Sequence, residues 1–102
     1  MEIKNLTQLK KALATHLFEV VEHNVHPEYT GQVRCVCKMQ NNGMYTAVVR
    51  NGDKAINTYN NGKGLWCLFG KAHDWEFNGD LCTLYYGVHG AVWTIRILDE
   101  TI

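Results

Sequence analysis

Apolar and polar positions alternate with a period of two along most of this chain, and follow a helical period over one stretch. In residues 5–14, NLTQLKKALA, Leu6, Leu9 and Leu13 recur at the spacing of one helix face while Lys10 and Lys11 point elsewhere. Asn5 is placed to cap this helix, and Gln8 three residues on completes an approximate capping box. So short a helix is marginal alone, so it needs a sheet beneath its leucines.

Strand patterning starts at Leu17 and runs to about His23. Pro27 then breaks pairing, and residues 26–31, HPEYTG, read as a turn or loop. From Gln32 to Gln40 the alternation is clean. Val33, Cys35, Cys37 and Met39 fall on one side, and Arg34, Val36, Lys38 and Gln40 on the other, as in a half-solvated antiparallel strand. Asn41-Asn42-Gly43 closes a hairpin. A three-residue loop with Gly43 left-handed pairs Met39 with Tyr45, Cys37 with Ala47 and Cys35 with Val49, which keeps the apolar residues on one face.

Residues 51–64, NGDKAINTYNNGKG, change character. Four asparagines and three glycines leave little to pack, so a long loop is expected, with one short strand around Ala55 to Tyr59. The stretch from Leu65 to Tyr86 then gathers two of the three tryptophans, two of the three phenylalanines and two of the five tyrosines, so it forms the centre of the predicted core. Its Asn78-Gly79 pair predicts a type I′ hairpin that sets Trp75 opposite Cys82 and places Phe77, Leu84 and Tyr86 on the same face. Gly87 to Gly90 turns the chain, and Ala91 to Leu98 makes a last strand with Trp93, Ile95 and Ile97 inward. Trp75, Phe77, Leu84, Trp93 and Ile95 are the predicted core, with Leu9 and Leu13 laid over them. One helix followed by about six hairpin-linked strands predicts an α+β, mostly β chain. Its helix packs on a small antiparallel barrel or a strongly bent sheet, and residues 1–102 make a single domain.

Composition changes this picture little. The apolar fraction is 46% and the charged fraction 20%, which excludes a disordered chain. Ten basic residues balance ten acidic ones, so no global field draws the chain to nucleic acid or an anionic membrane. No apolar run approaches the roughly 20 residues that span a bilayer, and the N-terminal stretch lacks the apolar core of a signal peptide. A cytoplasmic protein is the expectation. Without an export signal, Cys35, Cys37, Cys67 and Cys82, all within strand-like runs, read as reduced core thiols.

The motifs for chemistry fail one by one. Cys35 and Cys37 are only two apart, against the two to four intervening residues of a zinc knuckle, so no metal or other cofactor is expected. His16, His23, His26, His73 and His89 are scattered, and His23 and His26 beside Pro27 read as loop histidines. Asn61-Gly62-Lys63-Gly64 resembles the end of a P-loop, but Asn57 and Gly64 stand where Gly and Ser or Thr are required. Asp74, Glu76 and Asp80 surround a hairpin rather than a cleft. The chain is therefore read as no enzyme.

What survives is a binding signal. Lys54, Tyr59, Lys63, Trp66, Lys71 and His73 bracket the polar loop and the strand after it. If Leu65, Cys67 and Phe69 face inward, Trp66 and Leu68 face outward, and an outward tryptophan among lysines suits a protein interface or base stacking. The competing arrangement packs Trp66 beneath the 51–64 loop.

Tyr29-Thr30-Gly31-Gln32-Val33-Arg34 and Gly62-Lys63-Gly64, followed by Trp66, Gly70-Lys71-Ala72 and Trp75, resemble segments of small uncharacterised proteins of bacterial phages and mobile elements. The resemblance implies an accessory protein that binds host machinery, including inhibitors of CRISPR or other defence nucleases. The neutral charge departs from strongly acidic DNA-mimic inhibitors. The expected function is thus a binding module with a protein partner. The alternative is a nucleic-acid-binding barrel that uses aromatic stacking and the loop lysines.

Overall fold

The computed structural model describes residues 1–40, 43–51, 54–55, 65–68, 74–86 and 90–102, with backbone alone at 40, 43, 54–55, 65–68, 86 and 91. Helix α1 (Leu6–Leu13) leads into strands β1 (His16–His23), β2 (Gln32–Gln40), β3 (Gly43–Asn51), β4 (Lys54–Ala55), β5 (Leu65–Leu68), β6 (Trp75–Asn78), β7 (Leu81–Tyr86) and β8 (Ala91–Thr101). A 3-10 turn, Pro27–Tyr29, joins β1 to β2. The sheet order is β4-β3-β2-β1-β8-β7-β6, with β5 also on β3, and every described pairing is antiparallel. The fold is α+β and mostly strand. Among the described residues the path has two ends and does not close into a barrel.

The helix forms as its capping residues dictate. Asn5 accepts a hydrogen bond from the Gln8 backbone N–H, and Gln8 Oε1 in turn accepts from the backbone N–H of Lys4, at 2.9 and 2.8 Å. Leu9, Ala12 and Leu13 are buried with Ile3 against Phe18, Val20, Trp75, Cys82, Leu84, Trp93, Ile95 and Ile97. The predicted core is therefore present, with Phe77 half-buried at its margin. Phe18 and Trp93 meet edge to face at 6.0 Å.

Successive strand residues face opposite sides of a sheet. Leu17, Val33, Cys35 and Ala47 accordingly form a second buried cluster on the face away from the helix, edged by Val49 and Leu98. Strands β3 and β8 are three places apart in the sheet, about 14 Å if flat. Arg50 on β3 nevertheless donates to Glu100 on β8 at 2.7 Å, so the sheet curves over this face.

Both hairpin registers differ from the expected ones. Gln40 pairs with Gly43, leaving a two-residue connection, and Met39 pairs with Met44. A bulge then makes Cys37 an extra residue, so that Val36 faces Thr46 and Cys35 faces Ala47. The bulge reverses the alternation beyond Val36. Cys37 and Met39 are exposed instead of buried, and on the other side of the strand Arg34 is buried, 4% exposed. In the central hairpin Asn78 pairs with Leu81, Phe77 with Cys82 and Trp75 with Leu84. The turn is Gly79-Asp80, with Gly79 at φ +66°, in place of Asn78-Gly79. This register differs from the expected one by two residues, an even number, so the inward set Trp75, Cys82 and Leu84 is unchanged.

The short strand expected around Ala55 to Tyr59 is found as Lys54–Ala55, and its remainder lies outside the described residues. Strand β8 runs to Thr101 rather than Leu98, and the Ile102 N–H donates to the Thr15 carbonyl at 2.9 Å. The expected core thiols divide. Cys35 and Cys82 are buried thiols, Cys37 is an exposed thiol, none of the three is in a disulfide, and the side chain of Cys67 lies outside the description. Among the described residues no helix is long and apolar enough to cross a membrane.

Candidate functional site

Four of the six predicted binding residues, Tyr59, Lys63, Lys71 and His73, lie outside the described residues. Lys54 stands in β4 opposite Asn51, and Trp66 stands in β5 opposite Tyr45. That second register is informative. Met44 and Thr46, both wholly buried, align with Cys67 and Leu65, whereas half-buried Tyr45 aligns with Trp66. Tyr45 alternates with Met44 and Thr46 and shares its face with Ala47. Position 66 thus belongs to the sheet face opposite the helix.

The described residues that converge most closely are others. A bulge at Val21 lets β1 leave simple alternation, so that His23, and not Glu22, pairs with Trp93 and turns inward. His23 is 5% exposed, not a loop histidine. Its Nδ1 accepts a hydrogen bond from the backbone N–H of His26 at 3.0 Å. A backbone amide only donates, so Nδ1 carries no proton and the ring is neutral. The ring stands edge-on to Trp93 at 5.9 Å and to Tyr29 at 5.5 Å. His26 lies over Tyr29 at 4.9 Å and reaches Glu28 at 3.2 Å.

Arg34 packs on Tyr29 with its guanidinium carbon 4.9 Å from the ring centre. It donates from Nε and one terminal nitrogen to Gln32 Oε1, at 3.1 and 2.7 Å, and from the other to Thr46 Oγ1 at 3.2 Å. Its partners Gln32, Thr46 and Tyr29 are neutral, so this buried cation rests on the tyrosine face and on dipoles. Burial pulls its pKa below the ordinary value, with Tyr29 opposing. Burial, and after it the charge of His26, hold His23 below its ordinary pKa; Glu28 opposes them, and Arg34 adds a smaller downward push. Sequence alone placed Arg34 on the solvated side of β2; it does lie opposite Val33 and Cys35, but Tyr29 and Thr46 cover that face of the strand as well.

The chemistry open to other groups is limited. Burial, then Asp80, pushes the Cys82 thiol up to about 12, so it stays protonated at neutral pH and is no nucleophile. Glu76 is exposed and accepts from the Tyr85 hydroxyl at 3.2 Å, while Asp80 lies 3.4 Å from Arg96. Among the described residues, no three His, Cys, Asp or Glu side chains gather as a metal ion would require. A shallow groove of 560 Å³ runs beside α1, lined by Ile3, Lys4, Gln8, Lys11, Ala12 and His16 among others, away from both sites above. No family model, characterised protein or solved structure matches this chain.

Proposed function

We propose that the chain is a non-enzymatic binding module of the cytoplasm. It grips a protein partner through residues 51–64 and the adjoining Trp66, Lys71 and His73. The observation that carries the reading is the register of β5 on β3, which sets position 66 beside Tyr45 on the face the helix leaves uncovered. Aromatic residues at such a surface supply much apolar contact for little lost rotamer freedom, which is why they anchor interfaces. Zero net charge favours a protein over a polyanion. The resemblance to small phage and mobile-element proteins implies that the partner is part of a host complex, such as a CRISPR or other defence nuclease.

The test is capture from host lysate on immobilised wild-type chain and on Trp66→Ala. A partner held by the wild type is released by the variant at a cost of at least about 2 kcal/mol in affinity, with its circular dichroism unchanged. Binding that instead weakens steeply with salt, and flattens when Lys54, Lys63 and Lys71 are replaced by Ala, identifies nucleic acid as the partner. Full retention by the folded variant carrying all four substitutions refutes the site.

A further inference from the structure

We propose that residues His23–Gly31 are a pH-operated latch, in which protonation of His23 releases the turn between the pinned Asn24 and Gly31 and uncovers Tyr29 and Arg34. The segment leaves β1 and crosses the end of the sheet before β2 begins. It is pinned at both ends by bonds that do not titrate. At one end Asn24 bonds to Val92 through backbone and side chain and to the Gly90 carbonyl. At the other, the Gly31 N–H donates to the Val20 carbonyl at 2.8 Å. Between these pins, the hydrogen bond described from the turn back to β1 is that from the His26 N–H to His23 Nδ1, beside the ring contacts of His26 and Tyr29 with His23.

Protonation converts that acceptor nitrogen into a donor facing another donor, so the bond is lost rather than weakened. The charged ring would also sit 95% buried beside a second cation. Among the described residues, the groups facing His23 are few. Strand β8 presents Trp93, which does not titrate. Strand β2 presents Arg34, which repels an imidazolium. The turn presents His26, Tyr29 and Glu28. Among these described groups Glu28 alone favours the charged ring, and its exposed carboxylate is already engaged by His26. The balance opposes a charged His23 in place, so acid drives the ring outward. The Tyr29 ring, held against His23 and His26, moves with it and leaves Arg34 without its π face. The released state presents a guanidinium and a phenol at the surface, where the closed state buries one and half-buries the other.

Amide hydrogen exchange and imidazole nitrogen shifts of the full chain, followed from about pH 7.5 to about pH 5, span the histidine range and test this. The expected result is loss of His26 amide protection below the ordinary imidazole pKa, with shifts across 24–31, while β7 and β8 amides stay protected. His23→Gln keeps an acceptor without the titration and abolishes the transition. His26→Gln leaves it in place. Constant His26 protection, a transition that survives in His23→Gln, or simultaneous loss of protection in β7 and β8 overturns the latch. If His23→Gln does not fold, the wild-type shifts decide. Protonation of His23 Nδ1 at the pH of release supports the latch, and protonation at a different pH refutes it.

Discussion

The two faces of the sheet are buried by different means. Beneath α1, two indoles, a phenylalanine and several large aliphatic side chains interlock, and Trp93, Phe18, Leu9, Leu13 and Ile95 have no exposure. On the opposite face the buried cluster is Leu17, Val33, Cys35 and Ala47, and an ion pair reaches across its rim. Stabilisation scales with apolar area removed from water. The helix side therefore holds the fold together. The other face is shielded by curvature and leaves residues such as Tyr45 and Val49 half-exposed.

Truncation in the larger cluster gives the biggest contrast. Trp93→Ala should cost about 3–5 kcal/mol in chemical denaturation, enough to unfold a marginal domain. Val33→Ala in the smaller cluster should cost about 1–2 kcal/mol at roughly 0.8 kcal/mol per buried methylene. Equal losses would erase the distinction between the faces.

Gly79 tests the hairpin that the helix side depends on. Its φ is +66°, a Cβ there meets nothing within 4 Å, and its carbonyl accepts from the Ile3 N–H. Gly79→Ala should therefore lose about 1 kcal/mol through backbone strain alone. An unchanged midpoint would mean that the turn is not Gly79-Asp80.

Acid should act at one edge of the helix side. His23 has a folded pKa below the unfolded value of 6.5, so the unfolded chain binds the extra proton first. Its contribution to stability is complete above pH 6.5 and declines as the pH falls from there towards the folded pKa. His23→Gln should flatten that part of a stability-against-pH curve, measured by denaturation at several pH values. A curve of unchanged slope would remove His23 as the cause.

The smallest effect belongs to the rim of the other face. Glu100 holds the Arg50 guanidinium above its ordinary pKa, and Arg50 holds the Glu100 carboxyl below its own, chiefly through their hydrogen bonds. Both side chains are substantially exposed, so solvent and salt screen the pair. Arg50→Gln should shift the melting temperature slightly at low salt and not measurably at high salt. A large, salt-independent loss would mean that the pair, rather than Val33 and Cys35, holds the curve.

Period alone placed α1, the cap at Asn5, the inward faces of β6, β7 and β8, and the ends of β2. These features rest on neighbours three, four or two residues apart, whose relation the backbone geometry dictates. The candidate binding residues Tyr59, Lys63, Lys71 and His73 rest on composition, and they lie outside the described part of the structure.

Tertiary structure alone decided the bulges. An extra residue at Cys37 exposes a thiol expected inside, and the bulge at Val21 turns His23 inward in place of Glu22. A bulge is settled by what the partner strand and the opposite layer can bury together, a sum over distant residues that no local pattern carries. The burial of Arg34 has the same origin. Its flanking residues announce an ordinary solvated strand position, while Tyr29 and Thr46 reach it from other elements once the chain has folded.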